Sequence, residues 1–347
     1  MPADPAMPAI NRQWLLARRP AGMVGTADFA CRESPLPVPD LAAGEILVKT
    51  LMLSFEPAMR GWMDDKPSYM PPVVLGEPMR AAGIGQVVQS ANPAFPVGSL
   101  AMGFLNWQEY AVANRAGEMP PMPVPAGTPL TLPLGAFGGA SLTAYFGLLE
   151  VGRPKAGETV VVSGAAGAVG SVVAQIARIQ GCRVIGIAGG AEKCAWLRDT
   201  CGLDGVIDYK HEDVAARLAE ICPMGIDVFF DNVGGDILEA AIEQIADHSR
   251  IVLCGAIATY NDAQARPGPR NLMNLVTRRV RMEGFVMVDY VHRIAEAQPR
   301  LAEWVTAGRI RCREDVQEGF ENIPATFLRL FSGANQGKQL LKLADPA

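Results

Sequence analysis

Residues 160–171 read Val160-Val-Val-Ser-Gly-Ala-Ala-Gly-Ala-Val-Gly-Ser171, and the chain continues Val172-Val-Ala-Gln-Ile-Ala-Arg-Ile179. The three valines are a short β-branched run closed by small residues, the pattern of a strand buried on both faces. Gly164, Gly167 and Gly170 follow at spacings of three, and the residues behind them are apolar at helical spacing. Strand, glycine turn and helix together form a dinucleotide-binding unit. A pyrophosphate needs bare backbone N–H groups and the positive end of a helix, and side chains in the turn would hold it away. The usual G-x-G-x-x-G is here Ala165-Ala-Gly167-Ala-Val-Gly170, so alanine replaces the first glycine. Ala166, Gly167, Ala168, Val169 and Gly170 are the candidate phosphate-binding turn. A tight strand–helix turn with no ligand would read the same way in isolation, so the surrounding pattern decides.

That pattern is strand–helix alternation. Strands are expected at 183–187, 205–208, 226–231, 250–254 and 281–287. Helices are expected at 192–200, 212–221, 238–246 and 293–307, with a helical stretch at 271–279. Such alternation implies right-handed crossovers and a parallel sheet covered on both faces, a doubly wound α/β fold of Rossmann type. Ligands on such sheets sit beyond the strand C-termini, here near Ser163, Ala188, Tyr209, Asn232 and Gly255.

At 347 residues the chain calls for two domains. It is 49% hydrophobic, enough for sizeable cores. Its net charge of −5 supplies no basic field for nucleic acid. No apolar run is expected to reach membrane-spanning length, and residues 1–12 lack the pattern of a signal peptide. Seven cysteines without paired spacing suit a reduced, cytoplasmic protein. Residues 14–120 read as many short strands broken by glycine and proline, a β-rich, barrel-like domain. A proline-rich link spans 120–133, a helix is expected at 142–150, and a last helix and strand at 324–332 and 339–343 return towards the first domain. The expected division is 1–140 completed by 308–347, and 141–307.

The three histidines are His211, His248 and His292, and the only cysteine before residue 182 is Cys31. A catalytic zinc in the first domain would need Cys, His and acidic ligands there, so no metal site is expected. The strand ending Ile187-Ala-Gly-Gly190 carries no Asp or Glu for a ribose 2′-hydroxyl, whereas Lys193 follows it. A lysine there suits a 2′-phosphate and favours NADP(H), although it also fits a solvated lysine at a helix start, and Glu192 tempers the reading.

The β-rich first domain, central dinucleotide fold and C-terminal return resemble the plan of medium-chain dehydrogenases/reductases, whose first domain is GroES-like. Ala165–Ser171, Asp231-Asn-Val-Gly-Gly235, Cys254-Gly-Ala-Ile257 with Tyr260-Asn261, and Gly333-Ala-Asn-Gln-Gly-Lys338 resemble the zinc-independent leukotriene B4 dehydrogenase/prostaglandin reductase family. That family includes double-bond reductases and curcumin reductase. The resemblance implies NADPH-dependent reduction of the C=C bond of an α,β-unsaturated ketone or aldehyde in a homodimer joined through 281–287. It implies Lys193 and Tyr209 at the 2′-phosphate, with Cys254, Gly255, Ala256 and Ile257 in the cofactor cleft. Asn232, Phe285, Val286, Met287 and Asn335 would face the nicotinamide half, and Tyr260 is the candidate catalytic residue. Asn232 could equally cap the helix after it, and Cys254 reads as a core residue at a strand end. A quinone reductase of the same fold, or a non-catalytic NADPH-binding protein, remains an alternative. Ala58 stands where many relatives carry tyrosine, and Ala82 is near a second aromatic of some. The small residues imply a wider substrate pocket, beside which Arg80 could meet a carboxylate or lie on the surface.

Overall fold

The computed structural model describes residues 9–36, 40–264 and 266–347. The chain forms two compact units. One takes Met1–Leu134, Val316–Ser332 and Gln339–Ala347; the other takes Gly135–Asp315 and Gly333–Lys338.

In the first unit, β1 (Ile10–Leu16) and β2 (Phe29–Pro35) pair antiparallel with Ile10 opposite Pro35. β2 was not expected from the sequence, because Phe29-Ala-Cys-Arg-Glu-Ser-Pro35 lacks an apolar alternation and most of it is exposed. β3 (Ile46–Ser54), β4 (Ala82–Ser90), β5 (Leu100–Phe104), β6 (Tyr110–Ala113) and β7 (Met122–Val124) follow, β7 lying inside the proline-rich link. A short helix, α1 (Thr131–Leu134), ends this part. The aromatic core includes Trp107, Phe55 and Phe327, which are no more than 1% exposed.

The second unit opens with α2 (Gly139–Phe146), which runs on as a π-helical turn over Gly147–Gly152. The helical stretch 131–152 does reach membrane-spanning length and apolarity, which corrects the sequence expectation, but 67% of its apolar window is buried in the protein as core. Then alternate β8 (Thr159–Ser163), α3 (Ala168–Ile179), β9 (Arg183–Ala188), α4 (Ala191–Asp199), β10 (Gly205–Asp208) and α5 (Val214–Ile221). β11 (Ile226–Asp231), α6 (Gly235–Glu243), β12 (Ile245–Leu253), α7 (Met273–Thr277), β13 (Arg281–Gly284) and α8 (Ile294–Thr306) complete it. The six strands are parallel in the order β10-β9-β8-β11-β12-β13. Val160 and Val162 face one core with α2, α3 and α8, and Val161 faces the other with α5 and α6. Successive strand residues point to opposite faces, so a strand covered on both sides must be apolar throughout.

Several boundaries differ from expectation, and two of them have a clear cause. α6 stops at Glu243 because 245–253 belongs to β12. β13 stops at Gly284, opposite Leu253, because β12 leaves the sheet at Cys254, whose N–H turns to Asp231 O. From Met287 to Arg293 the chain is a 3-10 helix.

β14 (Glu314–Glu318), α9 (Ile323–Ser332) and β15 (Lys338–Lys342) end the chain. The seven-stranded sheet runs β14-β15-β3-β4-β5-β7, with β6 on β3. Leu340 stands opposite Ser54, which ties the C-terminus into this sheet.

Candidate cofactor-binding and active site

Every residue expected to bind the cofactor, and Tyr260, lies in the second unit. Chain order reverses between β8 and β11, and ligands of open α/β sheets bind beyond the strand C-termini at such a switch point. A buried polar knot ties the two strands there. The Ser163 hydroxyl donates to Asp231 Oδ1 at 2.7 Å and accepts from Asn232 N–H at 2.8 Å. Asp231 also accepts from Val233 N–H at 3.0 Å and from Gly234 N–H. Both side chains are at most 1% exposed. Burial pushes the Asp231 carboxyl up against these hydrogen bonds. The Asn232 side-chain amide donates to Ser163 O at 2.7 Å, and the N-cap of α6 is Gly234, so Asn232 is fastened to β8 and is not a cap.

The glycine turn sits beside this knot. Gly167 is the N-cap of α3, and its N–H donates to Gly164 O at 2.9 Å. Ala168, Val169 and Gly170 form the first helical turn, and Ala166 is buried beneath it. A methyl group on Gly170 would lie 2.3 Å from Gly164 O and 2.9 Å from Ala165 Cα, so only glycine lets the helix approach the strand this closely. The cradle keeps helix N–H groups and the positive helix end at the switch point, which fits a pyrophosphate.

At the end of β9, Lys193 Nζ donates to Gly333 O at 2.9 Å. Burial first, and then the charges of Lys210 and Arg313, hold its ammonium below the ordinary lysine value. Glu192 accepts from Arg313 at 2.6 Å and from Gln336 at 3.1 Å, so its carboxylate is committed to 313–336. The Tyr209 ring covers Gly189, where a methyl would stand 2.7 Å from the ring. Asp208, which accepts from Gly190 N–H at 2.8 Å and from His211, braces this corner. Lysine, tyrosine and a nearby arginine without an acid aimed at a ribose suit a 2′-phosphate. Lys210 and Arg313 were not singled out in the sequence, because no local pattern connects residue 313 with 193.

The loop after β12 is built on Asp231 and Asn232. Cys254 and Gly255 N–H donate to Asp231 O at 2.9 and 3.1 Å, and Ile257 N–H donates to Asn232 O at 3.3 Å. Ala256 N–H donates to Tyr260 Oη at 3.1 Å. A methyl on Gly255 would stand 3.0 Å from that oxygen. Cys254 is half-buried, and burial, followed by the charge of Asp231, pushes its thiol up to about 12, which keeps it protonated. Among the described residues no three His, Cys, Asp or Glu side chains converge as a metal site. Phe285 turns its ring against Gly147, Phe230 and Tyr290, with Val286 and Met287 half-buried beside it. The Asn335 amide donates to Gly337 O at 2.9 Å, and Gly337 bridges Gly167, which brings 333–338 to the phosphate turn.

In the first unit, Ala58 packs on the apolar core. Arg80 is half-buried rather than a surface residue. It donates to Pro71 O at 2.8 Å, and its guanidinium lies 5.6 Å from the Trp62 ring centroid.

Comparison with known proteins agrees with this geometry. The domain described as the N-terminal domain of oxidoreductase matches residues 12–120, and the one described as zinc-binding dehydrogenase matches 168–304. The NADP-dependent oxidoreductase YfmJ of Bacillus subtilis is 45% identical over 98% of this chain and 100% of its own length. The NADPH-dependent curcumin reductase of Escherichia coli is 39% identical over 96% of this chain and 97% of its own. The crystal structure of CurA from Vibrio vulnificus in complex with NADPH superposes with a TM-score of 0.91 at 40% identity, covering 96% of this chain and 100% of that one. The parallel sheet with its β-rich companion is thus the medium-chain dehydrogenase/reductase fold, and the chain belongs to the family of that fold that holds the curcumin, prostaglandin and 2-alkenal reductases.

Proposed function

We propose that this protein is an NADPH-dependent reductase of the C=C bond of α,β-unsaturated ketones and aldehydes, working without zinc. The observation that carries the reading is the Tyr260 hydroxyl fixed on Ala256 N–H at 3.1 Å, in a loop hung from the switch-point residues Asp231 and Asn232. Conjugate reduction places a hydride on the β-carbon and develops negative charge on the carbonyl oxygen. Without a metal, positioned hydrogen-bond donors must stabilise that charge. A hydroxyl that accepts from a backbone N–H acts as a donor through its own proton, so Tyr260 serves as the oxyanion donor or as the group that orders it. The α-carbon takes its proton from solvent.

NADPH, when bound, supplies the hydride. The backbone of 166–170 holds its pyrophosphate, and Lys193 and Tyr209 hold its 2′-phosphate. Asn232, Cys254, Gly255, Ala256, Ile257, Phe285, Val286, Met287 and Asn335 line the nicotinamide half. The GroES-like first unit carries the substrate pocket, and the second unit, which takes in 333–338, carries the cofactor. Ala58 and Ala82 make that pocket wide. The protein acts as a cytoplasmic homodimer joined along β13, the outermost strand of its sheet, where Arg281, Glu283 and Gly284 are exposed.

The experiment is reduction of a simple enone with 4-deuterated NADPH, run beside a quinone panel and an acceptor-free control. Deuterium should appear at the β-carbon of a saturated ketone with its C=O intact. Label on a carbinol carbon would make the protein a carbonyl reductase. Turnover of quinones alone would favour the quinone reductase reading, and no turnover would favour a binding protein.

A further inference from the structure

At the N-terminal ends of the same strands, opposite the cofactor corner, lies an open cleft of about 320 Å³ walled by Arg153, Lys155, Arg250, Arg279 and Arg281. That volume falls at the lower end of the range of small-ligand pockets. Some of these cations have structural work. Arg250 caps the carbonyls of Gly152 and Arg153 at 2.8 and 2.9 Å and pairs with Glu158. Arg281 reaches Val151 O and lies 3.5 Å from Glu283, and Arg279 pairs with Asp247. Among the described residues the side chains of Arg153 and Lys155 form no ion pair, although Glu158 lies near enough for the Lys155 charge to act on it. Arg153 bonds only the Glu150 carbonyl, at 2.7 Å.

Two further observations single out this cleft. Of the five non-glycine residues with positive φ among the described residues, three line it: Arg153 (φ 45°), His248 (φ 59°) and Arg279 (φ 54°). Arg153 and Arg279 each close a helix at the left-handed position where glycine is the ordinary residue. A helix C-terminus attracts a cation, and His248 lies where the β12 pairing with β11 shifts register, but neither accounts for Lys155. The second observation is Ser249, also in the lining, which is 2% exposed and whose hydroxyl has no hydrogen-bond partner. Five cations that converge on one cleft, two of them outside any ion pair, make a site that suits an anion.

We propose that this cleft binds the phosphate or pyrophosphate group of a small ligand, separately from NADPH, with Arg153 and Lys155 as the charges that meet it. The test is calorimetric titration of pyrophosphate into the NADP⁺-saturated protein at constant ionic strength, with inorganic phosphate and glycerol 3-phosphate in parallel. Saturating NADP⁺ removes the cofactor site from the measurement, and the readout is independent of turnover. One saturable site per chain is expected for pyrophosphate, with affinity falling about tenfold in Lys155→Gln and again in Arg153→Gly. Arg153→Gly should hold or raise Tm, because glycine relieves the left-handed strain. Glycerol 3-phosphate binding more tightly than inorganic phosphate would assign the group to an organic ligand, and the reverse order to free phosphate; both support the site. Binding that is absent, unsaturable or unchanged in both variants would overturn it. So would a lowered Tm in Arg153→Gly with unchanged affinity, which would make the arginine a structural cap.

Discussion

Lys193→Ala tests the cofactor corner directly. The side chain is half-buried, donates to Gly333 O at 2.9 Å and carries the charge assigned to the 2′-phosphate. Removing a charge-assisted contact forfeits about 1.5–3 kcal/mol. At 1.36 kcal/mol per tenfold, the Kd for NADPH should rise roughly 10- to 150-fold. NADH has no such phosphate, so its Kd should barely move. The contact requires a protonated lysine, and burial, with Lys210 and Arg313, holds the Lys193 pKa below the ordinary value. NADPH preference should therefore be full at neutral pH and decline as pH rises through that lowered pKa, earlier than an exposed lysine would allow. Stability moves the other way: a lysine whose folded pKa lies below its unfolded one opposes folding while charged, and the opposition fades as pH rises. Lys193→Arg should keep NADPH preference and lose the alkaline decline, because arginine stays charged. The assay is cofactor fluorescence titration with both nucleotides across neutral to alkaline pH. Equal losses for NADH and NADPH in Lys193→Ala would refute the argument, because the lysine would then hold the fold of 333–338 and not the phosphate.

Three shorter tests follow. Tyr260→Phe should lower kcat by roughly ten- to a thousandfold, about 1.4–4 kcal/mol, with NADPH affinity changing less; a fully active variant would make the tyrosine a structural residue. Gly170→Ala forces a methyl to within 2.3 Å of Gly164 O, so it should cost about 1–3 kcal/mol of stability and weaken both nucleotides alike, as read by thermal melting and titration. The purified protein should contain no stoichiometric zinc by elemental analysis and should keep its activity in chelator; one zinc per chain would sink the metal-free mechanism.

Much of the dinucleotide unit was legible because its determinants are local. Val160–Val162 must be apolar on both faces, Gly170 must lack a side chain, and strands alternating with helices have essentially one way to build a sheet. Lys193 could be chosen because strand and helix periodicity alone place it just past the second strand. The less local features were harder to see. β2 forms through its pairing with β1 and has no apolar signature of its own. Arg80 looks like a surface arginine until Pro71 and Trp62 close around it.

The sequence by itself determined the fold class, the glycine cradle and the lack of first-domain histidines that a zinc site would use, since each follows from residue type at short spacing. Tertiary structure alone decided the rest. It turned Glu192 away to Arg313 and Gln336, removing the acid that had clouded the NADP reading. It fastened Asn232 to Ser163 and made Asp231 the hub on which β8, β11 and the Tyr260 loop converge. Those contacts join residues from 23 to 144 positions apart, and only the folded sheet brings such groups within hydrogen-bonding distance, which is why no local pattern could announce them.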